Sequence, residues 1–266
     1  MAVVRIGAVS YLNARPLVAG LEARTDRFEV RYDLPSTCAR LLHAREIDLG
    51  LIPSVEYLRG DGYAIVPGCA VASDGPVASV AIFTKVPIER VQSLALDTSS
   101  RTSVALTRVL SAKYFGIGPR MVDEAPDLEG MIGRADAALL IGDPALFADY
   151  ARLGLEKIDL GVAWRELTGL PFVYAFWTGP AGALASDDVD ALQHARDEGA
   201  AAPHAIARAY YPDDQRKAVA GGDYLRDNIQ FGLGEREQAG LARFFALAAE
   251  VGAVERTQPL RWFGDR

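Results

Sequence analysis

The strongest constraint on this chain is the alternation of strand-length apolar runs with helical segments in residues 1–53. A polar turn and a short amphipathic segment follow the first run, and Pro35 opens a helix after the second. This β-α-β-α-β order favours a parallel sheet with helices on both faces. The predicted elements are strands at 3–8, 28–32 and 47–52, a segment to about residue 23 and a helix to about residue 45.

The pattern changes after residue 76. Residues 77–84 and 93–97 are strand-like with no helix between them, and from residue 187 the pattern is helical almost to the end. The other predicted elements are a helix at 102–115, strands at 137–141 and 172–177, and helices near 187–210, 213–228 and 235–252. We predict an α/β fold of two lobes, residues 1–84 with 178–266 and residues 85–177. Hinged lobes of this kind enclose a cleft for a small ligand.

The charge balance argues against a nucleic-acid partner. The chain carries 28 Lys and Arg against 35 Asp and Glu, a net charge of −7, whereas phosphate backbones are bound by basic faces. An anionic small molecule remains compatible, because a few backbone N–H groups and one arginine create a local positive pocket on an acidic protein.

Cysteine usage and hydropathy indicate neither export nor a membrane. Two cysteines, Cys38 and Cys69, form no disulfide framework or metal cluster and are interpreted as structural thiols. Arg5 interrupts the N-terminal apolar stretch, so no secretory signal is predicted. Residues 167–186 carry no charge, but Pro171 and Pro180 interrupt them, which favours a buried strand and a turn over a membrane span. We expect a cytoplasmic chain.

A polar segment, residues 10–16, follows the first predicted strand. Pro16 suits the first turn of a helix, and the free N–H groups of such a turn favour an anion. Asn13 both donates and accepts hydrogen bonds, and Ser10 adds a hydroxyl. The segment therefore predicts either a substrate site or, in the simpler interpretation, a helix cap at Asn13.

A second polar segment, residues 97–103, also links a strand to a helix. Five of its seven residues are Ser or Thr, and Arg101 adds a guanidinium group. Hydroxyl and N–H donors that converge on one point bind a carboxylate or a phosphate, but the glycines of a nucleotide-binding loop are absent. Carboxylate binding is favoured, and a hydroxyl-rich helix cap with a solvated Arg101 is the alternative.

Two further polar residues stand beside apolar strands. Asp143 follows the run at 137–141 and, with Pro144 after it, is either a helix cap or a carboxylate that binds a hydroxyl or moves a proton. Ser79 lies near the predicted crossing between the lobes, where its hydroxyl faces either the cleft or away from it.

The three histidines do not predict a catalytic centre. His43, His194 and His204 have no Ser, Cys or metal-ligand partner at a recognisable spacing, and no GxSxG segment is present. We expect a mechanism without a metal and without a covalent nucleophile.

Six segments, taken in order, carry a family resemblance. They are GAVSYLNARPL (7–17), DLGLIPSVEYL (48–58), SDGPVASVAIF (73–83), ALDTSSRTSVALTRVL (95–110), LLIGDPAL (139–146) and DLGVAWRELTGLPFVYAFW (159–177). Together they resemble the chorismate dehydratase family of the futalosine route to menaquinone, over most of the first 180 residues. The closing helices and the QPLRW segment at 258–262 are compatible with it.

The resemblance implies a fold like the type II periplasmic binding proteins, no cofactor, and removal of water from chorismate to give 3-[(1-carboxyvinyl)oxy]benzoate. Donors at the ring carboxylate would lower the barrier most, because charge builds there when the C3 proton leaves. Our hypothesis is that Asn13 and Ser79 hold this carboxylate, and that the 97–103 segment with Arg101 forms a second anion site. The base stays open between Asp143 and the substrate's own side-chain carboxylate.

We therefore expect catalytic roles for Asn13, Ser79 and Asp143. The residues expected to bind substrate lie in the polar segments and in the aromatic strand: Ser10, Tyr11, Arg15, Ser54, Thr98, Ser99, Ser100, Arg101, Thr102, Ser103, Gly142, Phe172 and Trp177. Aromatic residues in an apolar strand are also typical of a core. For Tyr11, Phe172, Tyr174 and Trp177, stacking on the substrate and packing in the core both stay open.

Two other functions are weighed against this one. The sister dihydroxynaphthoate synthase shares the fold, but its ring-forming reaction calls for a histidine base, and the polar segments offer none. A binding protein without chemistry, serving a transporter or a sensor, is the other alternative. The expected partner in the main hypothesis is a small dicarboxylate, chorismate, with no nucleic acid and no membrane. Whether two chains pair as a homodimer stays open.

Overall fold

The computed structural model describes residues 3–264, which form two five-stranded sheets with flanking helices. The strands are β1 (Val4–Val9), β2 (Phe28–Asp33), β3 (Leu49–Pro53), β4 (Tyr63–Ser73), β5 (Val80–Thr84), β6 (Ser93–Asp97), β7 (Arg120–Glu124), β8 (Ala137–Ile141), β9 (Glu156–Asp159) and β10 (Phe172–Pro180). The α-helices are α1 (Pro35–His43), α2 (Arg101–Leu110), α3 (Leu128–Arg134), α4 (Gly142–Leu146), α5 (Leu160–Thr168), α6 (Ser186–Ala201), α7 (Pro203–Tyr210), α8 (Gln215–Asp227) and α9 (Glu235–Glu250). Short 3-10 helices cover Leu12–Val18, Leu21–Ala23, Ser54–Arg59 and Ile88–Arg90.

The first sheet has the strand order β2-β1-β3-β10-β4. β1 pairs in parallel with β2 and with β3, as the β-α-β-α-β pattern predicts. β10 is antiparallel to β3 and to β4, so the sheet is mixed and not wholly parallel. The segment after β1 is a 3-10 helix, with Pro16, which has no N–H to donate, inside it.

The second sheet has the order β7-β6-β8-β5-β9 and repeats this plan. β6 is parallel to β7 and β8, and β5 is antiparallel to β8 and β9. In each sheet one strand, β10 in the first and β5 in the second, is antiparallel to both of its neighbours. We call the first sheet with the helices packed on it the first lobe, and the second sheet with its helices the second lobe.

The chain crosses between the lobes twice, between β4 and β5 and again between β9 and β10. The predicted boundaries at residues 84 and 178 assign β5 to the first lobe and most of β10 to the second. The pairing is the reverse, because β5 joins β8 and β9 whereas β10 joins β3 and β4. Both strands are almost wholly buried, and an apolar run of this kind carries no information about which neighbour it pairs with.

Several elements have weaker sequence signals and were not predicted: β4, β7, α3, β9 and α5. The predicted helix at 187–210 is divided into α6 and α7, since Pro203 starts a new helix instead of continuing the first. The predicted helix at 102–115 is α-helical to Leu110 and then widens into a π-turn. It ends, as expected, before Gly116, whose φ of 68° is left-handed.

The core of the first lobe is aromatic. The Phe172 ring contacts the rings of Trp164 and Phe244 edge to face, at centroid distances of 5.1 and 4.8 Å. Because Trp164 belongs to α5 and Phe244 to α9, these contacts pack β10 against both helices. Cys38 and Cys69 are buried free thiols, as predicted, and burial raises the pKa of each to about 12. Within residues 3–264, no helix is both long and apolar enough to cross a membrane.

Candidate active site

A partly open cavity of about 40 Å³ lies between the two sheets, where strand ends from both lobes meet. Val9, Pro53 and Ile141, the last residues of β1, β3 and β8, form part of its wall, which is the usual ligand position in sheets with parallel strands. The other lining residues are Tyr11, Asn13, Ala14, Pro35, Leu51, Val71, Val80, Ser100, Ser103, Gly142, Tyr174 and Ala175. Among residues 3–264, no charged side chain lines this cavity.

Asn13 lines the cavity from the 3-10 helix that follows β1. The N-cap of this helix is Tyr11, and no side chain caps it. The helix-cap interpretation of Asn13 is therefore wrong, because the residue lies inside the helix.

Ser79, expected to hold the ring carboxylate, does not line the cavity and lies behind two residues that do, Val80 next to it in the chain and Gly142. Its hydroxyl is 2.6 Å from the hydroxyl of Tyr224 on α8, and its carbonyl oxygen accepts a hydrogen bond from the Gly142 N–H at 2.7 Å. The Asn13 side chain lies near the same Tyr224 hydroxyl. Burial raises the pKa of Tyr224, whose ring is enclosed by protein, above the usual tyrosine range. Asn13 and Ser79 are thus brought together by a third residue.

A strained turn precedes Ser79. Ala78 has a φ of 59°, which is left-handed and unfavourable for a residue with a Cβ, and the Ser79 N–H bonds the Val77 carbonyl oxygen at 2.7 Å across it. The Asp159 carboxylate holds the turn by accepting the Val77 N–H at 3.1 Å and the Ala78 N–H at 2.6 Å. Lys157 donates to the Ala78 carbonyl oxygen at 2.6 Å, and burial lowers its pKa.

The 97–103 segment contributes Ser100 and Ser103 to the cavity, whereas Ser99, also expected to bind substrate, lies outside the lining. Ser100 caps α2 by accepting the Ser103 N–H at 3.4 Å, and both serines line the wall. Asp97 lies underneath and accepts the N–H groups of Ser99 at 2.9 Å and Ile141 at 3.3 Å. Burial raises the pKa of Asp97, although these hydrogen bonds oppose the shift. The N-terminus of α2 therefore points its uncharged donors at the cavity.

Other residues of this segment join the lobes instead. The Thr102 hydroxyl accepts the Val55 N–H at 3.1 Å and lies 3.3 Å from the Ser54 hydroxyl. The Ser36 N–H donates to the Ser99 carbonyl oxygen at 2.9 Å. Ser54 and Thr102, expected to bind substrate, are buried and lie outside the cavity lining.

Arg101 and Thr98 also lie outside the cavity. Arg101 is the first residue of α2 and turns to the opposite face of the helix, where it donates to the Glu56 carboxylate at 3.1 Å. There it lines a second, open pocket together with Arg59, Arg108 and Arg256. The expectation that Arg101 supplies a fork in the cleft is corrected by the helical period, which separates it from Ser100 and Ser103. Thr98 is exposed to solvent.

Asp143 connects the second lobe to the first and to the C-terminal helices. Its carboxylate accepts the Leu12 N–H at 3.2 Å and the Tyr210 hydroxyl at 2.7 Å. Burial raises its pKa, and these two donors partly oppose the shift. Asp143 follows the first residue of α4 and therefore does not cap it. Its neighbour Gly142 lines the cavity, whereas Asp143 itself does not.

The chain is similar in sequence to known proteins. The family model described as menaquinone biosynthesis matches residues 4–250. The chain belongs to the menaquinone biosynthesis family. A curated relative, the chorismate dehydratase of Thermus thermophilus, is 36% identical over 225 residues, which cover 77% of this chain and 80% of the relative.

Solved structures with low identity support the fold of this menaquinone biosynthesis protein. A protein of Archaeoglobus fulgidus superposes with a TM-score of 0.75 at 19% identity, covering 94% of this chain and 98% of that one. The alkanesulfonate-binding protein SsuA of Xanthomonas axonopodis pv. citri, bound to MOPS, gives 0.71 at 15% identity, covering 99% and 96%. The predicted two-lobed α/β fold of the periplasmic-binding-protein type is confirmed.

The aromatic residues of this family member divide between cavity and core. Tyr11 and Tyr174 line the cavity, whereas Phe172 and Trp177, expected to contact substrate, are buried in the core of the first lobe. Neighbouring side chains of a strand point to opposite faces, and the bulges in the β10–β4 pairing shift this alternation. The sequence alone does not place such a shift.

Arg15 and Ser10 stand beside the cavity and not in its wall. The Arg15 guanidinium lies 3.8 Å from the Tyr32 ring centroid and 5.0 Å from that of Tyr210. The Ser10 carbonyl oxygen lies 2.9 Å from the Tyr210 hydroxyl. These contacts attach α7 to the segment that carries Asn13.

Sequence reasoning missed Tyr224, Asp159 and Tyr210. Each lies on an element whose pattern is typical of ordinary packing, and each acquires its partner across more than 60 residues of chain. The one available signal was the DLGVAWRELTG segment, in which Asp159 precedes a helix and matches a cap. Within residues 3–264, no group of three His, Cys, Asp or Glu side chains is arranged to hold a metal ion.

Proposed function

We propose that this menaquinone biosynthesis protein removes water from chorismate and releases 3-[(1-carboxyvinyl)oxy]benzoate. The Thermus thermophilus relative is named for this activity. The observation that carries the proposal is the cavity without charged lining residues, which Asn13 and the N-terminus of α2 both line. Neutral, fixed donors suit a reaction whose negative charge develops on a carboxylate that the substrate brings.

The elimination breaks two bonds from ring carbons of chorismate, the C3–H bond and the C4–O bond. A base takes the C3 proton, the electrons of that bond enter the ring, and the C4–O bond breaks with its electron pair. The departing hydroxyl takes a proton and leaves as water, and the ring becomes aromatic without oxidation or reduction. In the intermediate, the charge is shared with the ring carboxylate, so donors at that group stabilise the transition state more than the ground state.

The two substrate carboxylates are assigned to different parts of the wall. Asn13, with Ser79 behind it, holds the ring carboxylate. The side-chain carboxylate faces Ser100, Ser103 and the N–H groups in the first turn of α2, where the helix dipole favours an anion. This second site takes over the role expected of Arg101.

The base in this mechanism is the side-chain carboxylate of chorismate itself. Asp143 lies outside the lining, and both of its oxygens accept hydrogen bonds from protein donors. Asp143 therefore orders the wall from outside the cavity and does not reach C3. Chorismate carries its own second carboxylate into the cavity, close to the ring it must deprotonate.

The first test is turnover of chorismate by purified protein, followed as loss of one water by mass and as a change in ultraviolet absorbance. In the Asn13→Ala variant, kcat is expected to fall by about 10²–10³-fold, the usual cost of one lost oxyanion donor. The melting temperature should stay close to that of the parent protein. Gln193→Ala is the control, because its amide donates to Pro67 on the far side of the first lobe, and it should keep full turnover.

Other outcomes contradict the proposal in distinct ways. Binding of chorismate without turnover would make the chain a binding protein, the behaviour named for the sulfonate-binding structural neighbour. Absence of both binding and turnover would exclude chorismate as the ligand. Near-parental kcat in Asn13→Ala would remove Asn13 from the mechanism while leaving the activity in place.

A further inference from the structure

The Tyr224 hydroxyl is the point where two predicted catalytic residues meet. Ser79 belongs to the crossing into the second lobe, Asn13 follows β1 of the first lobe, and Tyr224 belongs to the C-terminal helix α8. We propose that Tyr224 is a positioning residue that fixes the orientation of the Ser79 hydroxyl behind the wall and, with it, that of the Asn13 amide toward the substrate. This inference rests on the proposed function, because it concerns the same site.

The two partners depend on Tyr224 for their orientation. Within the described part of the chain, the Ser79 hydroxyl has one hydrogen-bond partner, the Tyr224 hydroxyl at 2.6 Å. The Asn13 side chain lies near that hydroxyl. A serine hydroxyl rotates freely and an amide flips when nothing holds it. Without Tyr224, both groups would lose their fixed direction.

The donor and acceptor groups of a phenol are consistent with one arrangement of the hydrogen bonds around Tyr224. Tyr224 has a single O–H to donate and lone pairs that accept. When Asn13 donates one N–H to the phenol oxygen and Tyr224 donates to Ser79, the second N–H of the Asn13 amide is left for the ring carboxylate. Burial keeps the Tyr224 pKa high, so the hydroxyl holds its proton throughout the neutral range and the direction does not change.

Ser79 is held from its other side by the strained turn at Ala78. A left-handed alanine persists only where surrounding contacts impose it, and here the Asp159 carboxylate and the Lys157 ammonium bind the turn at 2.6 Å each. These contacts maintain the strained backbone of Ala78 directly before Ser79, the residue that contacts Tyr224. This agrees with a need to place the Ser79 hydroxyl in one position.

The test compares Tyr224→Phe with the full-length parent protein. Removal of the hydroxyl is expected to lower kcat for chorismate by about 10–100-fold, because misdirected donors no longer meet the developing charge. KM should change less than threefold. Tyr57→Phe is the matched control, since its buried hydroxyl also makes two hydrogen bonds, at 2.8 Å to Pro259 and 3.0 Å from the Arg261 N–H. It should lower the melting temperature to a similar extent and keep kcat.

A double-mutant cycle shows whether Tyr224 acts through Asn13. In the Asn13→Ala background, Tyr224→Phe should lower kcat by a clearly smaller factor than in the parent protein, since part of its action is already lost. An equal factor in both backgrounds would overturn the proposal. So would a Tyr224→Phe variant with parental kcat, or one in which kcat falls no more than in Tyr57→Phe.

Failure of the proposed function would look different. It would appear as a parent protein that leaves chorismate intact, before any variant is compared. A parent that binds chorismate without turnover would overturn both proposals, because the positioning role of Tyr224 is expected in kcat. A parent that neither binds nor converts chorismate would overturn both proposals.

Discussion

Single residues in this site are constrained by close approach more than by charge. Gly142 has a φ of 64°, which an L side chain rarely adopts, and a Cβ on it would lie 2.7 Å from the Tyr11 ring. Both residues line the cavity. Glycine is therefore required here for two independent reasons, one of backbone conformation and one of space.

We expect Gly142→Ala to lower the free energy of unfolding by about 1–3 kcal/mol, because alanine strains the turn and displaces Tyr11. Turnover of chorismate should fall as well, since the displaced ring belongs to the wall. Chemical denaturation and steady-state kinetics measure the two effects. Gly133→Ala in α3 is the control, as its Cβ meets open space, and it should be neutral or slightly stabilising. Equal stability of the two variants would contradict the steric argument.

At the scale of elements, α2 has different functions on its different faces. Ser100 and Ser103 line the cavity, Arg101 faces Glu56 on the other side, and Thr102 contacts the first lobe. The 3.6-residue period explains this division, because consecutive residues point about 100° apart. The sequence predicts one anion site from the hydroxyl-rich segment 97–103, but only Ser100 and Ser103 of that segment line the cavity.

Thr102→Val tests the contact between α2 and the first lobe. Valine has the same shape but leaves the Val55 N–H buried without its acceptor, which should lower the free energy of unfolding by about 1–3 kcal/mol. Thr107→Val is the control, since its hydroxyl donates only to Ser103 of the same helix, at 2.8 Å. Denaturant titration of both variants gives the comparison. A smaller loss in Thr102→Val than in Thr107→Val would show that the contact does not stabilise the lobe arrangement.

The whole molecule is joined by contacts between the lobes, and one of them is ionic. Glu56, in the first lobe, is buried and accepts hydrogen bonds at 3.1 Å from His43 and from Arg101 of the second lobe. Burial opposes its charge, but His43, Arg101 and Arg59 outweigh that effect and hold the pKa of Glu56 below its usual 4.5. The contribution to stability is therefore complete above pH 4.5 and is lost as the pH falls through the lowered folded-state pKa.

Replacement of Glu56 by Gln should therefore cost stability in a pH-dependent way. At pH 7 the free energy of unfolding is expected to fall by about 1–3 kcal/mol, an amount limited by solvent screening of the partly exposed arginines. The difference in free energy of unfolding between Glu56→Gln and the parent protein should become smaller below pH 4.5. Glu46→Gln, in an exposed pair with Arg40, should cost less than about 1 kcal/mol at any pH. A gap that stays constant from pH 7 to pH 3 would show that the charge of Glu56 is not what stabilises the lobe contact.

The sequence by itself determined the elements with strong local signals and the positions next to them. Apolar runs predicted β1, β2, β3, β6 and β8, and the parallel order of the first three placed polar segments at strand ends. Asn13, Ser100 and Ser103 were predicted in this way and line the cavity. Each of these inferences depends on residues close together in the chain, where period and propensity act directly.

Only the tertiary structure decided which strands pair and which side chains meet. β5 and β10 exchange lobes relative to the prediction, Arg101 turns away from the cavity, and Phe172 and Trp177 enter the core. Tyr224 meets Ser79 across 145 positions of chain. The physical reason is that hydrophobic burial has no direction, so an apolar run specifies that it is buried but not against what, and the packing of both lobes selects the partner.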